Sequence, residues 1–386
     1  MIDTVVILLR KDQFTLTDPE LFSPSAQWVL QPYTNQSHGI QSKQNPTKRE
    51  FALGIYKPCL TLAHRINPLG GSTVSLKIEL SLPKLMFGNN FQELRAKDFA
   101  ALTHKLAQVL ANMGIHTTPA TLAKAPLSAI HYSKNIPLTD GSTPYHYINK
   151  IKEANTKLTL DVNQTDYRNE GHSYKWHCNS YEVVFYDKIK DLEKAQASSK
   201  RALEKDNELQ LNFLDRFNNR NKLEILRMEV RLNKRHKIKQ LFKVLHIPSD
   251  LSFKSLFKPT ISKKVLLHYL DEIERARLAI LDYKAPILLR QGYEGQVDKA
   301  LLASLIINNP ELSPKQILIT YGLSKALDVV NIRELRALFA KCNQRSWYRL
   351  IKDVQKVKIV GTQSPFETVR ECLKKFKPIN LKHFAY

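Results

Sequence analysis

Two segments of this chain alternate apolar and polar residues with a period of two, and this pattern restricts the possible fold more than any other feature of the sequence. The first runs from Val74 to Leu82 and the second from Ile225 to Leu232. Because successive side chains of a strand point to opposite faces, each segment predicts a strand with one buried and one polar face. Strands of this kind are typical of antiparallel sheets.

Further strands are predicted at Ile2–Leu9, Leu127–Ser133 and Glu182–Ile189, where aliphatic and aromatic residues are frequent. Apolar residues recur at helical spacing from Glu93 to Met113, and a charge-rich helical pattern runs from Asp191 to Phe217. The predicted fold is therefore α+β, an antiparallel sheet with helices on one face.

The composition changes near residue 290, and the remaining chain consists of short helical patterns. We predict three parts: a sheet domain at residues 1–245, a helical connector at 246–290, and a small helical C-terminal domain at 291–386. The polar stretch from Asn35 to Arg49 is predicted to be an exposed loop.

Charge indicates the kind of partner. The 386 residues contain 59 Lys and Arg against 36 Asp and Glu, a formal net charge of +23. Such a field attracts polyanions, of which nucleic acid is the most common, although a nonspecific anion-binding protein has the same composition. The four cysteines form no C-x-x-C pair, and no apolar stretch approaches the roughly 18 residues of a membrane span. We expect a soluble intracellular protein with no membrane partner.

The polar faces of the predicted strands carry groups suited to phosphoryl transfer. Glu79 and Glu229 are carboxylates on separate strands, and two such groups close together favour a divalent cation, Mg²⁺ or Mn²⁺, between them. Tyr186 supplies a nucleophile, and Lys188 lies two residues further along the same predicted strand. Taken singly, each residue is better explained by an ordinary half-exposed strand, where charged residues and tyrosine are common.

Histidines near these strands have two interpretations each. His131 is a candidate third metal ligand, or a hydrogen-bonded residue of its strand. Lys175 and His177 lie in the segment GHSYKWHC, whose aromatic residues suit stacking with the bases of single-stranded nucleic acid or a hydrophobic corner of the fold.

The densest basic cluster follows the last predicted strand, in NKRHKIKQLFK from Asn233 to Lys243. A helix there offers phosphate contacts, the alternative being a solvated helix face. The residues expected to contact DNA in this part of the chain are Arg227, Arg231, Lys234, Arg235 and Lys237.

Four blocks resemble the filamentous-phage gene II/gene X family of replication proteins. They are MIDTVVILL, VSLKIELSLPKLMFGNNFQEL, YEVVFYDKIKDLE and EILRMEVRLNKR, which occur in the family's order over roughly residues 1 to 245. The chain departs from the family in having His131 where relatives carry an acidic residue. It also lacks a His-hydrophobic-His motif.

This resemblance implies a rolling-circle initiator related to the HUH endonucleases and to plasmid Rep proteins. It makes Tyr186 the nucleophile that forms a phosphotyrosine and leaves a free 3′ hydroxyl, and it matches Glu79 and Glu229 to the family's acidic residues. It also implies DNA as the partner, with a host helicase as a further candidate partner, in the cytoplasm of a bacterial host. The block QRSWYRLIKDVQKVKI resembles the family more loosely and suits an origin-binding helical unit or a docking surface.

Two rival functions follow from the same residues. One is a noncatalytic nucleic-acid-binding protein whose polar sheet face follows phosphates. The other is a tyrosine recombinase, which requires a His-x-x-Arg pairing that this sequence lacks. The nicking enzyme is the function that the sequence favours.

Overall fold

The structure is a computed structural model of the full chain. It describes residues 1–28, 38–47, 49–50, 53, 55–66, 71–138, 141–152, 171–177, 179–191, 224–248, 250–278, 294–330, 332–339, 344–360 and 364–379.

A nine-stranded antiparallel sheet dominates the fold. Its strands are β1 (Ile2–Arg10), β3 (Ser23–Trp28), β4 (His38–Gln44), β5 (Cys59–Ile66), β6 (Ser72–Ser81), β8 (Leu127–Pro137), β9 (Ser173–His177), β10 (Tyr181–Asp187) and β11 (Ile225–Leu232). Their order across the sheet is β3-β4-β5-β6-β1-β8-β11-β10-β9. The short strands β2 (Thr15–Leu16) and β7 (Ile115–His116) form a separate pair. The α+β class predicted from the sequence is confirmed.

One face of the sheet is apolar because the register matches the alternation of each strand. Ile7 of β1 lies opposite Ile78 of β6, and Val230 of β11 lies opposite both Tyr132 of β8 and Val183 of β10. All five side chains are at most 1% exposed. Direct cross-strand pairs of this kind bury the apolar face from β6 to β10 and leave the other face to the polar residues.

A β-bulge in β1 alters which of its residues reach the polar face. Ile2 pairs with Tyr132 and Val5 with Ile130, so three steps along β1 match two steps along β8. A bulge of this type reverses the alternation of the strand and can direct a side chain to the other face. Asp3, inside this bulge, contacts Arg227 of the polar face.

The helices of the described chain are α1 (Leu82–Phe87), α2 (Phe99–Ala111), α3 (Pro119–Lys124), α4 (Pro144–Lys152), α5 (Arg235–Val244), α6 (Phe253–Leu256), α7 (Pro259–Ala276), α8 (Glu294–Asn308), α9 (Pro314–Val329), α10 (Ile332–Leu338), α11 (Gln344–Val354) and α12 (Glu367–Lys375). None of these helices is long and apolar enough to cross a membrane.

The chain forms two compact units. The first comprises Met1–Pro144, Leu158–Leu267 and Cys372–Tyr386, and contains the large sheet. The second comprises Tyr145–Lys157 and His268–Glu371 and contains the helices α8 to α11. The second unit has its own hydrophobic core, which includes Leu305, Ile317, Leu335, Trp347 and Ile351.

Several elements differ from the sequence prediction. The stretch Asn35–Arg49, predicted to be a loop, contains β4, and the helix predicted from Glu93 begins at Phe99. Of the helical pattern Asp191–Phe217, residues 192–217 lie outside the described residues.

Candidate active site

Six charged side chains of alternating sign form a continuous chain of ion pairs across the polar face, which we call the ion-pair row. Its members come from β9, β10, β11 and β1, and its last contact passes over β8, which lies between β11 and β1. They are Lys175, Glu182, Arg231, Glu229, Arg227 and Asp3. The consecutive nitrogen to oxygen distances are 3.2, 3.2, 2.7, 2.7 and 2.9 Å. With three cations and three anions, the row is formally neutral.

Tyr186 joins this row at its centre. Its hydroxyl donates a hydrogen bond to Oε1 of Glu229 at 2.8 Å. In the register of β10 and β11, Tyr186 lies directly opposite Arg227, so its ring reaches Glu229 diagonally, two residues further along β11. Tyr186 is 8% exposed, and the hydroxyl is therefore enclosed by the polar face.

Glu229 is held as a carboxylate by its two neighbours on β11. Oε1 accepts from Nε of Arg227, and Oε2 accepts from Nε and Nη2 of Arg231. Burial alone raises the pKa of Glu229, but Arg231 and Arg227 outweigh burial and hold the pKa well below its ordinary value of 4.5. With the Tyr186 bond, both oxygens of Glu229 carry two donors each.

Arg227 holds four hydrogen-bond acceptors at once. Besides Glu229, it donates to the Asn90 carbonyl at 2.8 Å, to Asn135 Oδ1 at 3.1 Å and to Ser133 Oγ at 3.1 Å. Its Nη2 also forms an ion pair with Oδ1 of Asp3 at 2.9 Å, without the geometry of a hydrogen bond. The Arg227 side chain is only 2% exposed, and its contacts hold these surrounding groups in place beneath the surface of the site.

Of the two arginines that bind Glu229, Arg231 is the one that reaches solvent. Its side chain is 32% exposed, against 3% for that of its partner Glu229. It pairs with Glu182 as well as with Glu229. Because part of the Arg231 side chain is exposed, an incoming anion can approach it while Arg227 stays buried. The structure thus provides one accessible guanidinium beside the Tyr186–Glu229 hydrogen bond.

Lys188 lies next to Tyr186, just beyond the end of β10. Its Nζ is 5.7 Å from the centre of the Tyr186 ring and donates to Asn90 Oδ1 at 2.7 Å. Burial, with a further contribution from Arg227, lowers the pKa of Lys188 to about 7. Burial also raises the pKa of Tyr186 well above its ordinary value.

Glu79 is not brought to this site. It lies on β6, which is separated from β11 by β1 and β8, and it forms an exposed ion pair with Lys77 at 3.0 Å. Three interstrand spacings of about 4.8 Å separate the two backbones by about 14 Å across the sheet, and they are also offset along the strands, because Glu79 is in register with Ala129 and Glu229 with Ser133. The two carboxylates that the sequence assigned to one cation are therefore on the same sheet but do not meet.

His131 lies directly opposite Arg231, on the neighbouring strand β8. Its Nε2 is 3.1 Å from Oδ1 of Asn233. Burial, followed by the charge of Arg231, lowers the pKa of His131 and favours the neutral imidazole. The hydrogen-bonded interpretation of this histidine accounts for its contacts.

The described residues do not fit a divalent cation. They contain no group of three His, Cys, Asp or Glu side chains that could hold one. A cation at Glu229 would also meet Arg227 and Arg231, whose guanidinium groups already occupy its oxygens. A metal-binding arrangement would require Glu229 to be released from both arginines.

The other predicted DNA-binding residues lie at one end of the sheet. Lys234 and Arg235 are exposed at the start of α5, and the Nζ of Lys237 stacks 4.1 Å from the centre of the Tyr181 ring. Lys175 belongs to the ion-pair row, whereas the side chain of His177 lies outside the described residues.

Sequence reasoning missed five residues of the site: Asp3, Asn90, Ser133, Asn135 and Glu182. Asp3 stands out as the single acidic residue within an apolar opening strand, which is a detectable signal. Asn90 lies in a turn between α1 and α2, and its contact with Arg227 spans 137 residues. No local pattern encodes a contact of that range.

Comparison of the chain with protein-family models found no match, and comparisons with curated proteins and with solved structures found none either. The family resemblance of the four sequence blocks therefore stays a prediction.

Proposed function

We propose that this protein nicks and rejoins one strand of DNA through a covalent phosphotyrosine at Tyr186, as an initiator of rolling-circle replication of the gene II/gene X type. The observation that carries the proposal is the hydrogen bond from the Tyr186 hydroxyl to Glu229, between two arginines. It joins a nucleophile, a proton acceptor and phosphate-binding cations within one set of contacts.

The proposed reaction is a transesterification. The Tyr186 oxygen attacks the phosphorus of one phosphodiester while its proton passes to Glu229, and the bond between phosphorus and the 3′ oxygen breaks. Lys188, whose pKa of about 7 allows proton release near neutral pH, protonates the leaving 3′ oxygen. In the joining step a 3′ hydroxyl attacks the phosphotyrosine and the protons return.

Phosphate binding at Arg231 prepares Glu229 for this role. A carboxylate whose pKa is held low by two arginines is a weak base. When a phosphate takes Arg231 from Glu229, the carboxylate loses one of its cations and its pKa rises. The arriving substrate thus creates its own proton acceptor, and the charge of Arg231 and Arg227 offsets the charge of the transition state.

The proposal includes the rest of the sequence expectation: a HUH-type sheet domain, a bacterial cytoplasm and a host helicase that separates the strands. It includes no step through a divalent cation, because the described donor set does not fit one. The expectation of Mg²⁺ or Mn²⁺ is tested by running the same reaction with either ion and with a chelator.

A noncatalytic nucleic-acid-binding protein is the second candidate function. The enclosure of Tyr186 and the neutrality of the ion-pair row favour it, because a saturated network of this kind also serves to hold strands in register. This candidate predicts salt-dependent DNA binding without strand cleavage.

The deciding experiment incubates the protein with supercoiled DNA of its own replicon. We expect open circles and DNA-linked protein from the natural chain, and neither from Tyr186→Phe. Tyr132→Phe is the matched control, since it removes a buried hydroxyl that has no hydrogen-bond partner in the described structure. An equal adduct yield from Tyr186→Phe rejects the assignment of Tyr186. If the natural chain and both variants bind DNA in a salt-dependent way and none cleaves it, the second candidate function is supported.

A further inference from the structure

The second compact unit carries a basic helix face of its own. Between Gln344 and Lys358 the chain has five basic residues and one acidic residue. The acidic one, Asp353, is paired with Lys356 at 3.0 Å. Arg349 and Lys352 of α11 are exposed, and no ion pair is found for either among the described residues. This leaves a positive surface that the Tyr186 chemistry does not use.

The opposite face of α11 fixes this surface in place. Trp347, Ile351 and Val354 recur at helical spacing and are at most 7% exposed in the core of the unit. α9 packs against both α10 and α11, and five residues join α10 to α11. A short helix followed by a longer one with an exposed face, both supported by a third helix, is the arrangement of a helix-turn-helix unit.

An arginine and a tyrosine from the two helices meet at the edge of the basic face. Nη2 of Arg336 on α10 donates to the Tyr348 hydroxyl of α11 at 2.8 Å, and its guanidinium carbon lies 5.3 Å from the ring centre. Tyr348 is 49% exposed. Arginine, lysine and tyrosine are the side chains that bind phosphate oxygens, and arginine also reads the edge of guanine.

We propose that the exposed face of α11, formed by Tyr348, Arg349 and Lys352 with Arg336 beside it, binds double-stranded DNA. An α-helix with its side chains is about 10–12 Å in diameter. A helix of this diameter fits the major groove, which is about 12 Å across. The proposal does not depend on the reaction at Tyr186.

The charge of this face selects nucleic acid over other occupants. Two exposed apolar residues at the end of α10, Leu338 and the following Phe339, would suit a protein partner. The exposed face of α11, however, presents Arg349 and Lys352 about one helical turn apart, and these two cations attract a polyanion. A protein partner is therefore treated as an outcome of the test.

The test measures binding of the full chain to a short fluorescent duplex over a series of salt concentrations. Arg349→Gln with Lys352→Gln is expected to weaken binding about tenfold and to reduce the slope of log affinity against log salt by about 1.8, since each lost phosphate contact contributes about 0.9. The matched control is Lys299→Gln with Lys315→Gln, which removes two exposed charges elsewhere in the same unit and should leave affinity within about twofold. The exchanged pair Arg349→Lys with Lys352→Arg keeps both charges and should restore binding.

Two results would overturn the proposal. One is an equal loss of duplex affinity in the variant and the control, which indicates an effect of total charge alone. The other is unchanged duplex binding, and a loss of affinity for a polyglutamate peptide in the same variant would then indicate a protein partner. Adduct formation on a single-stranded oligonucleotide should be the same in all variants, so failure here is separable from failure of the Tyr186 assignment.

Discussion

The Tyr186 hydroxyl and the Glu229 carboxylate are joined by a 2.8 Å hydrogen bond that crosses from β10 to β11. Neither residue faces bulk solvent, since Tyr186 is 8% and Glu229 2% exposed. The pair is stable in this position because Arg227 and Arg231 neutralise the carboxylate from both sides. Stability and proposed reactivity therefore depend on the same contacts.

Glu229→Ala should destabilise the protein by about 3–5 kcal/mol, because it leaves Arg227 buried without its nearest anion. Glu79→Ala is the matched control. It removes an exposed ion pair with Lys77, and such pairs contribute about 0–1 kcal/mol. Urea unfolding at neutral pH measures both. Equal losses in the two variants would contradict the central place of Glu229 in the ion-pair row.

Adduct formation should separate the two glutamates in a different way. Glu229→Gln keeps the size of the side chain but loses the proton acceptor, and we expect the rate of adduct formation to fall by about 10²–10⁴. Glu79→Gln should leave the rate unchanged, because Glu79 lies three strands away. Covalent attachment to an origin oligonucleotide measures the rates. A comparable loss in Glu79→Gln would restore the shared-cation hypothesis.

Acid should remove the stability that Glu229 contributes. Because the pKa of Glu229 is lower in the folded chain than its ordinary value of 4.5, the unfolded chain binds a proton first as the pH falls. The contribution is complete above pH 4.5 and is lost as the pH falls through the folded pKa. The difference in unfolding free energy between the natural chain and Glu229→Gln should shrink below pH 4.5. A constant difference in acid unfolding curves would contradict this.

Lys188 should make the free energy of unfolding depend on pH in the neutral to alkaline range. Its pKa is about 7 when folded, against 10.5 ordinarily, so between these values only the unfolded chain holds the proton. Stability should therefore rise with pH from about 7 towards 10, and Lys188→Met should lack that rise. The exposed Lys190→Met serves as control and should behave like the natural chain. Unfolding free energies across this range provide the measurement.

Much of the site could be predicted because strand periodicity is local. Residues Arg227, Glu229 and Arg231 share one face through simple alternation, and Glu182 and Tyr186 share one for the same reason. The polar faces of β10 and β11 were thus predictable from the sequence, as was the buried apolar face of β6. Only the pairing of β10 with β11 was needed to join Tyr186 to Glu229.

Strand order could not be predicted, and it determined the place of Glu79. The insertion of β1 and β8 between β6 and β11 follows from pairings between residues far apart in the chain. Strand β4 was missed because it buries little apolar surface, so its sequence HGIQSKQ shows no apolar alternation; even Ile40 is 49% exposed. Backbone pairing with β3 and β5 holds this strand, and hydrophobic periodicity does not record such pairing.

The sequence by itself determined the α+β class and the two faces of the strands, because both depend on the spacing of neighbouring residues. The choice of Tyr186 as nucleophile came from the resemblance of the four sequence blocks to a known family. The tertiary structure alone decided that Glu229 is bound by two arginines, that Asp3 joins them through a bulge, and that Glu79 lies elsewhere. The physical reason is that charge compensation in a buried site depends on distance in space. Contacts such as that between Asn90 and Arg227 exist only once the strands have assembled.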